Sequence, residues 1–210
     1  IDLENTEYFE LFEGLKSTNS FHEKTLIYKQ NGVINLYDIQ LTGNFIIQSD
    51  TQIKVNRTTL LNDVLLIAPN IEIRDNVIGN FQAIATKSIT VGNNCNLMYP
   101  SAIVLVEQEN SNDKNKKNDE NLLVINSNSS VKGIVAFLSK DEQSNYNPHL
   151  IVDENSVITG EVFCDKNLEL KGTVNGSIYA NNFITKQFGS VYQNHIYNGS
   201  IIQNQLPEQY

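Results

Sequence analysis

A short triplet of apolar, polar and apolar residues recurs along the chain at a regular interval. Ile53-Lys54-Val55 is followed by Ile71-Glu72-Ile73 and then by Ile89-Thr90-Val91, which gives a period of about 18 residues. The alternation within each triplet is typical of a strand with one buried face. Two of the triplets run into turn-forming residues, Arg74-Asp75-Asn76 and Gly92-Asn93-Asn94. We therefore expect the first apolar residues of the triplets to stack in one inward ladder, and the last apolar residues in the next.

The repeat returns in the second half of the chain. Segment 123–128 resembles segment 150–155, which lies one and a half periods later. The polar stretch 139–148 lies within that interval and accounts for the excess over one period. Segment 172–174 also aligns with 189–191, at a spacing one short of the period. A unit of this length cannot bury an apolar face by itself, so its stability must come from stacking on neighbouring units.

These repeats predict an all-β fold, a right-handed single-stranded parallel β-helix with coils of about 18 residues. The helix is expected over residues 38–210, with loop insertions at 107–121 and 139–148. The core of the first insertion, residues 110–119, has no apolar residue and no periodicity, which is typical of a disordered loop. No amphipathic helix separates the strands, and this disfavours an α/β fold.

The first 37 residues have a different character. Apolar residues spaced three apart, with glutamates between them, predict a short helix over residues 3–15. Two alternating apolar runs, 25–28 and 33–39, flank Asn31-Gly32, and Asn-Gly is a strong signal for a β-hairpin. Residues 1–37 are therefore expected to form a helix–hairpin attachment to the β-helix.

Composition excludes some partners. The net charge is −9 and the isoelectric point is about 4.8, with only two arginines, Arg57 and Arg74. Nucleic-acid binding requires a basic footprint, which is not visible here, and acidity also opposes docking on anionic lipid. The 30 asparagines predict a chain rich in turns, because asparagine tolerates left-handed backbone. Cys95 and Cys164 fit no metal spacing and are expected to be two buried single thiols.

No catalytic constellation emerges from the three histidines. His149 follows a proline at the end of a loop and is expected to be solvated, and His195 is expected to be a hydrogen-bonded turn residue. The period of the repeat also equals three hexapeptides, so a left-handed β-helix acyltransferase stays an alternative, although a small residue at every sixth position is missing. The sequence therefore predicts no catalytic residue, no cofactor and no metal site.

Carboxylates could instead support a polysaccharide lyase or hydrolase, a second enzyme alternative. Asp63, Asp75 and Asp153 occupy turn-like positions, form no repeating ladder and are interpreted as surface acids. Arg57 and Arg74 are isolated in the sequence. We therefore expect a protein that is not an enzyme.

The last third of the chain carries a family resemblance. Residues 157–162 and 168–180 contain an alternating Gly-x-Val-x-Gly-x-Ile run, within a likeness that covers residues 150–207. This run resembles the bactofilins, a polymer-forming bacterial cytoskeletal family. The resemblance implies a right-handed parallel β-helix that assembles end to end without nucleotide. It also implies the bacterial cell envelope, either anchored by a membrane segment before Ile1 or extracytoplasmic, with a cytoplasmic location as the alternative.

Aromatic residues gather near the C-terminus, at Phe183, Phe188, Tyr192, Tyr197 and Tyr210. The end of a β-helix exposes strand edges that must be capped or paired. These residues either cap the last coil or form an interface, because aromatics are enriched at interface cores. We interpret the first four as an assembly interface.

The expected function is therefore a non-enzymatic, bactofilin-like scaffold that associates with itself or docks an envelope protein through its ends. The alternative is a carbohydrate-binding or carbohydrate-active β-helix of the envelope. A groove lined by exposed aromatics and acids along one sheet would favour that alternative.

Overall fold

The computed structural model describes residues 5–108, 121–140 and 145–203. Within these ranges the protein is all-β, its strands pair almost entirely in parallel, and it contains no α-helix. The strands are β1 (Thr6–Tyr8), β2 (Lys16–Asn19), β3 (Thr25–Gln30), β4 (Val33–Leu36), β5 (Gln40–Gly43), β6 (Phe45–Ser49), β7 (Gln52–Val55), β8 (Leu60–Ile73), β9 (Ile78–Val91), β10 (Asn96–Val106), β11 (Leu122–Ile125), β12 (Ser130–Leu138), β13 (Leu150–Val152), β14 (Val157–Leu170), β15 (Thr173–Gln187), β16 (Ser190–Gln193) and β17 (Ser200–Ile202).

The chain passes repeatedly through three parallel ladders. The first ladder pairs β2 with β5 and β5 with β8, the second pairs β3 with β6 and β6 with β8, and the third pairs β4 with β7 and β7 with β8. The long strands β8, β9 and β14 bend from one ladder into the next. We call one passage through the ladders a layer. Each layer pairs with the layers before and after it.

The third ladder is the one that the triplets predict. Ile53 pairs with Ile71 and Ile71 with Ile89, and all three side chains are buried. The predicted inward ladder is confirmed, and each fully buried Ile contributes on the order of 1.5–3 kcal/mol. The second predicted ladder is confirmed as well, and it consists of Val55, Ile73 and Val91.

Left-handed asparagines form the corners between the third and first ladders. Asn76, Asn94, Asn128 and Asn155 all have positive φ, between 56° and 64°. Asparagine adopts this backbone more readily than most residues because its short side chain can bond locally. In each corner the next residue points inward and is buried, which helps to explain why the chain is so rich in asparagine. These inward residues are Val77, Cys95, Ser129 and Ser156.

Residues 5–15 correct the predicted N-terminal helix. They contain β1 and an irregular segment, and residues 1–4 lie outside the described part of the chain. The Phe9 amide donates to the Ile27 carbonyl, and the Phe9 ring packs edge-on against Phe45 at 5.3 Å. The helix prediction was wrong because pairing with the next layer satisfies the backbone and the aromatic side chains better than an isolated turn of helix.

The predicted hairpin at Asn31-Gly32 is also wrong. β3 pairs in parallel with β6, and β4 pairs in parallel with β7, so both strands belong to one layer. The turn itself is present, because Gly32 has a φ of 93° and its amide donates to Asp50 Oδ1 at 2.6 Å. A tight turn between apolar runs therefore marks a corner of the layer here rather than a hairpin.

The later repeats are mixed in outcome. The alignment of 123–128 with 150–155 is confirmed, since Leu123 pairs with Leu150. The alignment of 172–174 with 189–191 is wrong, because Thr173 pairs with Ser200, and β16 runs antiparallel to β15. Of the two predicted loop insertions, residues 109–120 and 141–144 lie outside the described residues.

Candidate interaction surfaces

The four predicted interface residues lie in the last layers of the stack. Phe183 pairs with Leu168 in the third ladder and packs, partly buried, against the core. The other three lie on an exposed surface. Phe188 is at the tip of the antiparallel β15–β16 hairpin and is 97% exposed, while Tyr192 and Tyr197 are each 46% exposed. The structure therefore separates Phe183 from the exposed group, and Tyr210 lies outside the described residues.

β17 completes this end. It pairs in parallel with β15, and within the described residues no strand pairs with its other edge. All three of its residues are exposed, and Ile201 and Ile202 are 45% and 46% exposed. We call β17, the β15–β16 hairpin and the exposed residues between them the C-terminal end. An open edge with apolar side chains is a surface on which another strand or chain can pair.

The opposite end carries exposed aromatics that the sequence analysis missed. Tyr8 ends β1, and Phe12 and Phe21 lie in the connections on either side of β2. Their side chains are 73%, 58% and 67% exposed. We call these three residues the N-terminal aromatic group. Phe12 belongs to the predicted helix, and helical spacing places it on the buried apolar side, so the sequence did not predict its exposure.

One side of the stack is a largely apolar face. It is formed by the outward residues of the second ladder, which alternate with buried residues such as Leu66 and Ile103. Ile134 and Tyr179 on this face are 41% and 59% exposed, and the rings of Phe163 and Tyr179 stack at 5.0 Å. The apolar face consists of Ile46, Leu65, Ile67, Ile84, Ala102, Val104, Ile134, Ala136, Phe163 and Tyr179, and the polar outward residues of the same rows are Gln48, Gln82, Glu161 and Ser177.

A signal for this face was present in the sequence. The segments 64–68, 102–106 and 134–138 are unbroken apolar runs, unlike the alternating triplets of the third ladder. Strands of a parallel sheet that are covered on both sides read as continuous apolar runs. The corresponding outward residues of the first ladder are largely polar, as at Thr42, Asn62 and Asn96. The apolar face is therefore a specific property of one side.

A groove of about 520 Å³ lies over the corners between the third and first ladders. Its lining includes both arginines of the chain, Arg57 and Arg74, which the sequence analysis treated as isolated. They come together because their separation along the chain is close to one period of the repeat. Tyr37, Glu72 and Asp75 also line the groove, and Tyr37 is 49% exposed.

Hydrogen bonds hold the polar side chains of this groove in place. Arg74 donates to Asn56 Oδ1 at 2.8 Å and to Glu72 Oε1 at 3.3 Å. Asp75 Oδ1 accepts the backbone amide of Asn93 at 2.7 Å. The groove therefore presents fixed donors and acceptors of both charges beside an exposed aromatic ring.

A buried ion pair joins the positions at which the two insertions leave the stack. Lys166 Nζ lies 2.9 Å from Glu107 Oε2, and Ser139 Oγ and Asn121 Nδ2 donate to the same carboxylate. Burial alone would raise the pKa of Glu107, but these hydrogen bonds and the Lys166 charge hold its pKa below the ordinary value. The arrangement fastens three successive layers together.

The other titratable residues are dispersed. His149 is buried and packs edge-on against Phe137 at 5.5 Å, so the prediction of a solvated histidine was wrong. His195 Nδ1 lies 2.8 Å from the Gln193 carbonyl oxygen, as a hydrogen-bonded turn histidine should. Asp63 and Asp75 are in corners of different kinds, between different pairs of ladders. Both cysteines are buried free thiols, as predicted.

Burial governs the chemistry of these thiols. It raises the pKa of Cys164 to about 12 and also raises the pKa of Cys95. Neither thiol is therefore an accessible nucleophile. Among the described residues, no group of three or more His, Cys, Asp and Glu side chains is arranged to hold a metal ion.

Comparison with family models, with curated proteins and with solved structures gives no match to this chain. Within residues 5–108, 121–140 and 145–203, no helix is long and apolar enough to cross a membrane. The candidate surfaces are therefore interpreted from their own geometry.

Proposed function

We propose that the chain is a right-handed parallel β-helix whose coils follow the period of the sequence triplets, and that it serves as a non-enzymatic scaffold. In this proposal it assembles with itself, or docks an envelope protein, through the two ends of the stack. The observation that carries the proposal is the pair of exposed apolar ends, each with aromatic side chains that nothing in the described residues covers.

The β-helix part of the proposal rests on the ladders. Successive layers pair at the same positions, and Ile53, Ile71 and Ile89 recur at a constant interval in the third ladder. Right-handedness is the expectation for parallel strands joined by crossovers, because right-twisted strands favour that path. The bactofilin resemblance of residues 150–207 implies the same architecture and the same kind of end-to-end assembly.

The two ends differ in shape, which favours head-to-tail contact. The C-terminal end offers the free edge of β17 and the projecting tip of the β15–β16 hairpin. The other end offers the N-terminal aromatic group. Contact between two different surfaces that does not close into a ring propagates as a filament. Phe188, Tyr192 and Tyr197 would supply the C-terminal half of this contact, and Phe183, which packs against the core, would support it from beneath.

Substitution of the hairpin tip tests the proposal. Phe188→Asp places a charge at the most exposed aromatic, so we expect it to stop elongation without changing the fold. Light scattering and electron microscopy would measure the assemblies. Ile78→Asp is the matched control, because Ile78 is also an exposed apolar residue, at 48%, but lies on β9 in the middle of the stack. Unchanged assembly of correctly folded Phe188→Asp protein would rule out this contact.

A second substitution tests the head-to-tail geometry. Phe21→Asp should also stop elongation, because it alters the N-terminal aromatic group. An equimolar mixture of the Phe21→Asp and Phe188→Asp proteins still contains one intact surface of each kind. This mixture should form pairs but not longer chains. Long assemblies from either variant alone would contradict the head-to-tail contact.

The groove favours a second candidate function, a carbohydrate-binding protein of the envelope. Tyr37 offers an exposed ring for stacking, and Arg57, Arg74, Glu72 and Asp75 offer charged hydrogen-bonding groups around it. An aromatic body with polar neighbours suits a ligand that has both apolar and hydroxyl faces. A glycan array would identify a ligand, and Tyr37→Ala should abolish that binding. No glycan bound above background would eliminate this candidate.

A further inference from the structure

Within the described residues, no strand packs over the apolar face. Its apolar outward residues lie on three consecutive strands, β8, β9 and β10, from Leu65 to Val104, and the next strand, β12, contains Ile134. Ala136 lies outside the core cluster, on the outer surface. It is nevertheless only 4% exposed, because Val104 and Phe163 flank it on the neighbouring strands. An exposed apolar surface of several hundred Å² marks an interaction site in most soluble proteins.

We propose that this face binds the apolar face of a second copy of the chain, side by side, as a two-fold symmetric dimer. Two sheets can pack face to face at a separation of about 10 Å, with their side chains interdigitated. The contact lies on the side of the stack, so it requires neither end of the molecule.

The size of the face fits such a dimer. It extends over seven layers, about 34 Å at roughly 4.8 Å per layer, and over about five residues, or roughly 16 Å. Each copy would therefore contribute about 500 Å², and the pair about 1,000 Å². A specific interface needs about that total area, so full overlap of the two faces is required.

The charge pattern favours a second copy over a partner with a charged surface. From Leu65 to Ile134, the outward residues of the second ladder include no Asp, Glu, Lys or Arg. Charge is depleted at interface cores, and an uncharged flat surface is complementary to itself. The charged residues at outward positions, Glu161 and Asp165, lie near one end of the face.

The ends of the face favour an antiparallel arrangement of the two copies. Glu161 pairs with Ile134 in register and lies near one end of the face, and Asp165 follows two outward positions later. Parallel copies would place like charges opposite each other, which opposes association. Antiparallel copies separate these carboxylates along the length of the dimer.

Val104→Lys and Ile67→Lys test the dimer at the centre of the face. Each places an ammonium group in the contact, and both side chains point away from the core. We expect the dimer dissociation constant in sedimentation velocity to rise at least about tenfold for either variant, as for a central interface residue. Asn96→Lys is the matched control, because Asn96 is an exposed outward residue of the first ladder, and it should dimerise like the wild type.

Folding and end contacts are controlled separately. The urea midpoint and circular dichroism spectrum of each Lys variant should match those of the wild type. Phe188→Asp should keep the side-by-side dimer, and Val104→Lys should keep end-to-end elongation. Dimerisation of a folded Val104→Lys protein with wild-type affinity would overturn the proposal, and so would a wild type without side-by-side pairs.

Discussion

Gly160 pairs in register with Gly133, so closely that a Cβ atom on Gly160 would overlap the Gly133 carbonyl oxygen. Gly176 lies in the same relation to Gly160 one layer further on. All three glycines have φ between 136° and 148°, a region that residues with side chains rarely adopt. Two glycines of the pattern that resembles the bactofilins, Gly160 and Gly176, are thus required by one corner, between the first and second ladders, whereas Gly172 lies in a corner between the third and first ladders.

Gly160→Ala should therefore destabilise the protein strongly. The new methyl group would meet backbone on the neighbouring layer, and the backbone conformation would be strained as well. We expect a loss of about 3 kcal/mol or more in the free energy of unfolding, measured by urea denaturation. Gly189→Ala is the control, since Gly189 has a φ of 80° but no atom within 4 Å of the new methyl group, and it should cost only about 1 kcal/mol. Equal losses in both variants would contradict the close packing of this corner.

The Glu107–Lys166 pair should make stability depend on pH. The folded-state pKa of Glu107 lies below the ordinary value of 4.5, so its stabilising effect is complete above that pH. The effect is lost as the pH falls through the folded-state pKa. We expect Glu107→Gln to lower the free energy of unfolding by about 1.5–3 kcal/mol at pH 7, because it removes the negative charge that accepts hydrogen bonds from Lys166, Ser139 and Asn121.

Urea denaturation at pH 7 and at pH 3 would measure this change. The difference between wild type and Glu107→Gln should shrink at pH 3, because the carboxylate of the unfolded chain is protonated below its ordinary pKa of 4.5. Glu72→Gln is the control, because Glu72 pairs with Lys54 and Arg74 at the surface, and it should cost at most about 1 kcal/mol. A difference for Glu107→Gln that is independent of pH would contradict the assigned role.

The two thiols should be unreactive in the folded protein. Cys95 and Cys164 are each 2% exposed, and burial raises the pKa of Cys164 to about 12. The thiolate is the reactive form, so a disulfide reagent at pH 8 should label neither residue without denaturant. Both should react within the mixing time once the protein is unfolded in urea. Rapid labelling of one thiol in the native protein would show that its layer opens locally.

The parts of the fold that sequence could predict are those with a local signal. The alternating triplets identified the third ladder because the outward residue of each triplet is polar. The constant spacing of the triplets then gave the register of this ladder. The N-terminal residues lacked such a signal, since Phe9 packs on Phe45, two layers further on, while β1 pairs with β3 of the next layer. Spacing alone favoured a helix, but pairing with that layer prevailed. Likewise, the Asn31-Gly32 turn signal does not distinguish a hairpin from a corner between two strands of one layer.

The surfaces were harder to predict because each combines residues from several layers. Arg57 and Arg74 meet only when the register is known. Phe188 could be assigned to an end from its position in the chain, but the core contact of Phe183 depends on its pairing with Leu168. The apolar face is visible as continuous apolar runs, but those runs do not say which side faces outward.

Small-angle X-ray scattering over a concentration series tests the proposed end-to-end assembly most directly. A single stack of about nine layers is roughly 40 Å long at a spacing of about 4.8 Å per layer. End-to-end assembly predicts a maximum dimension that grows well beyond this length with concentration, and that returns to a single length in Phe188→Asp. Side-by-side pairing alone would thicken the particle without lengthening it. A wild-type particle that keeps the length of one stack at the highest concentration would contradict assembly through the ends.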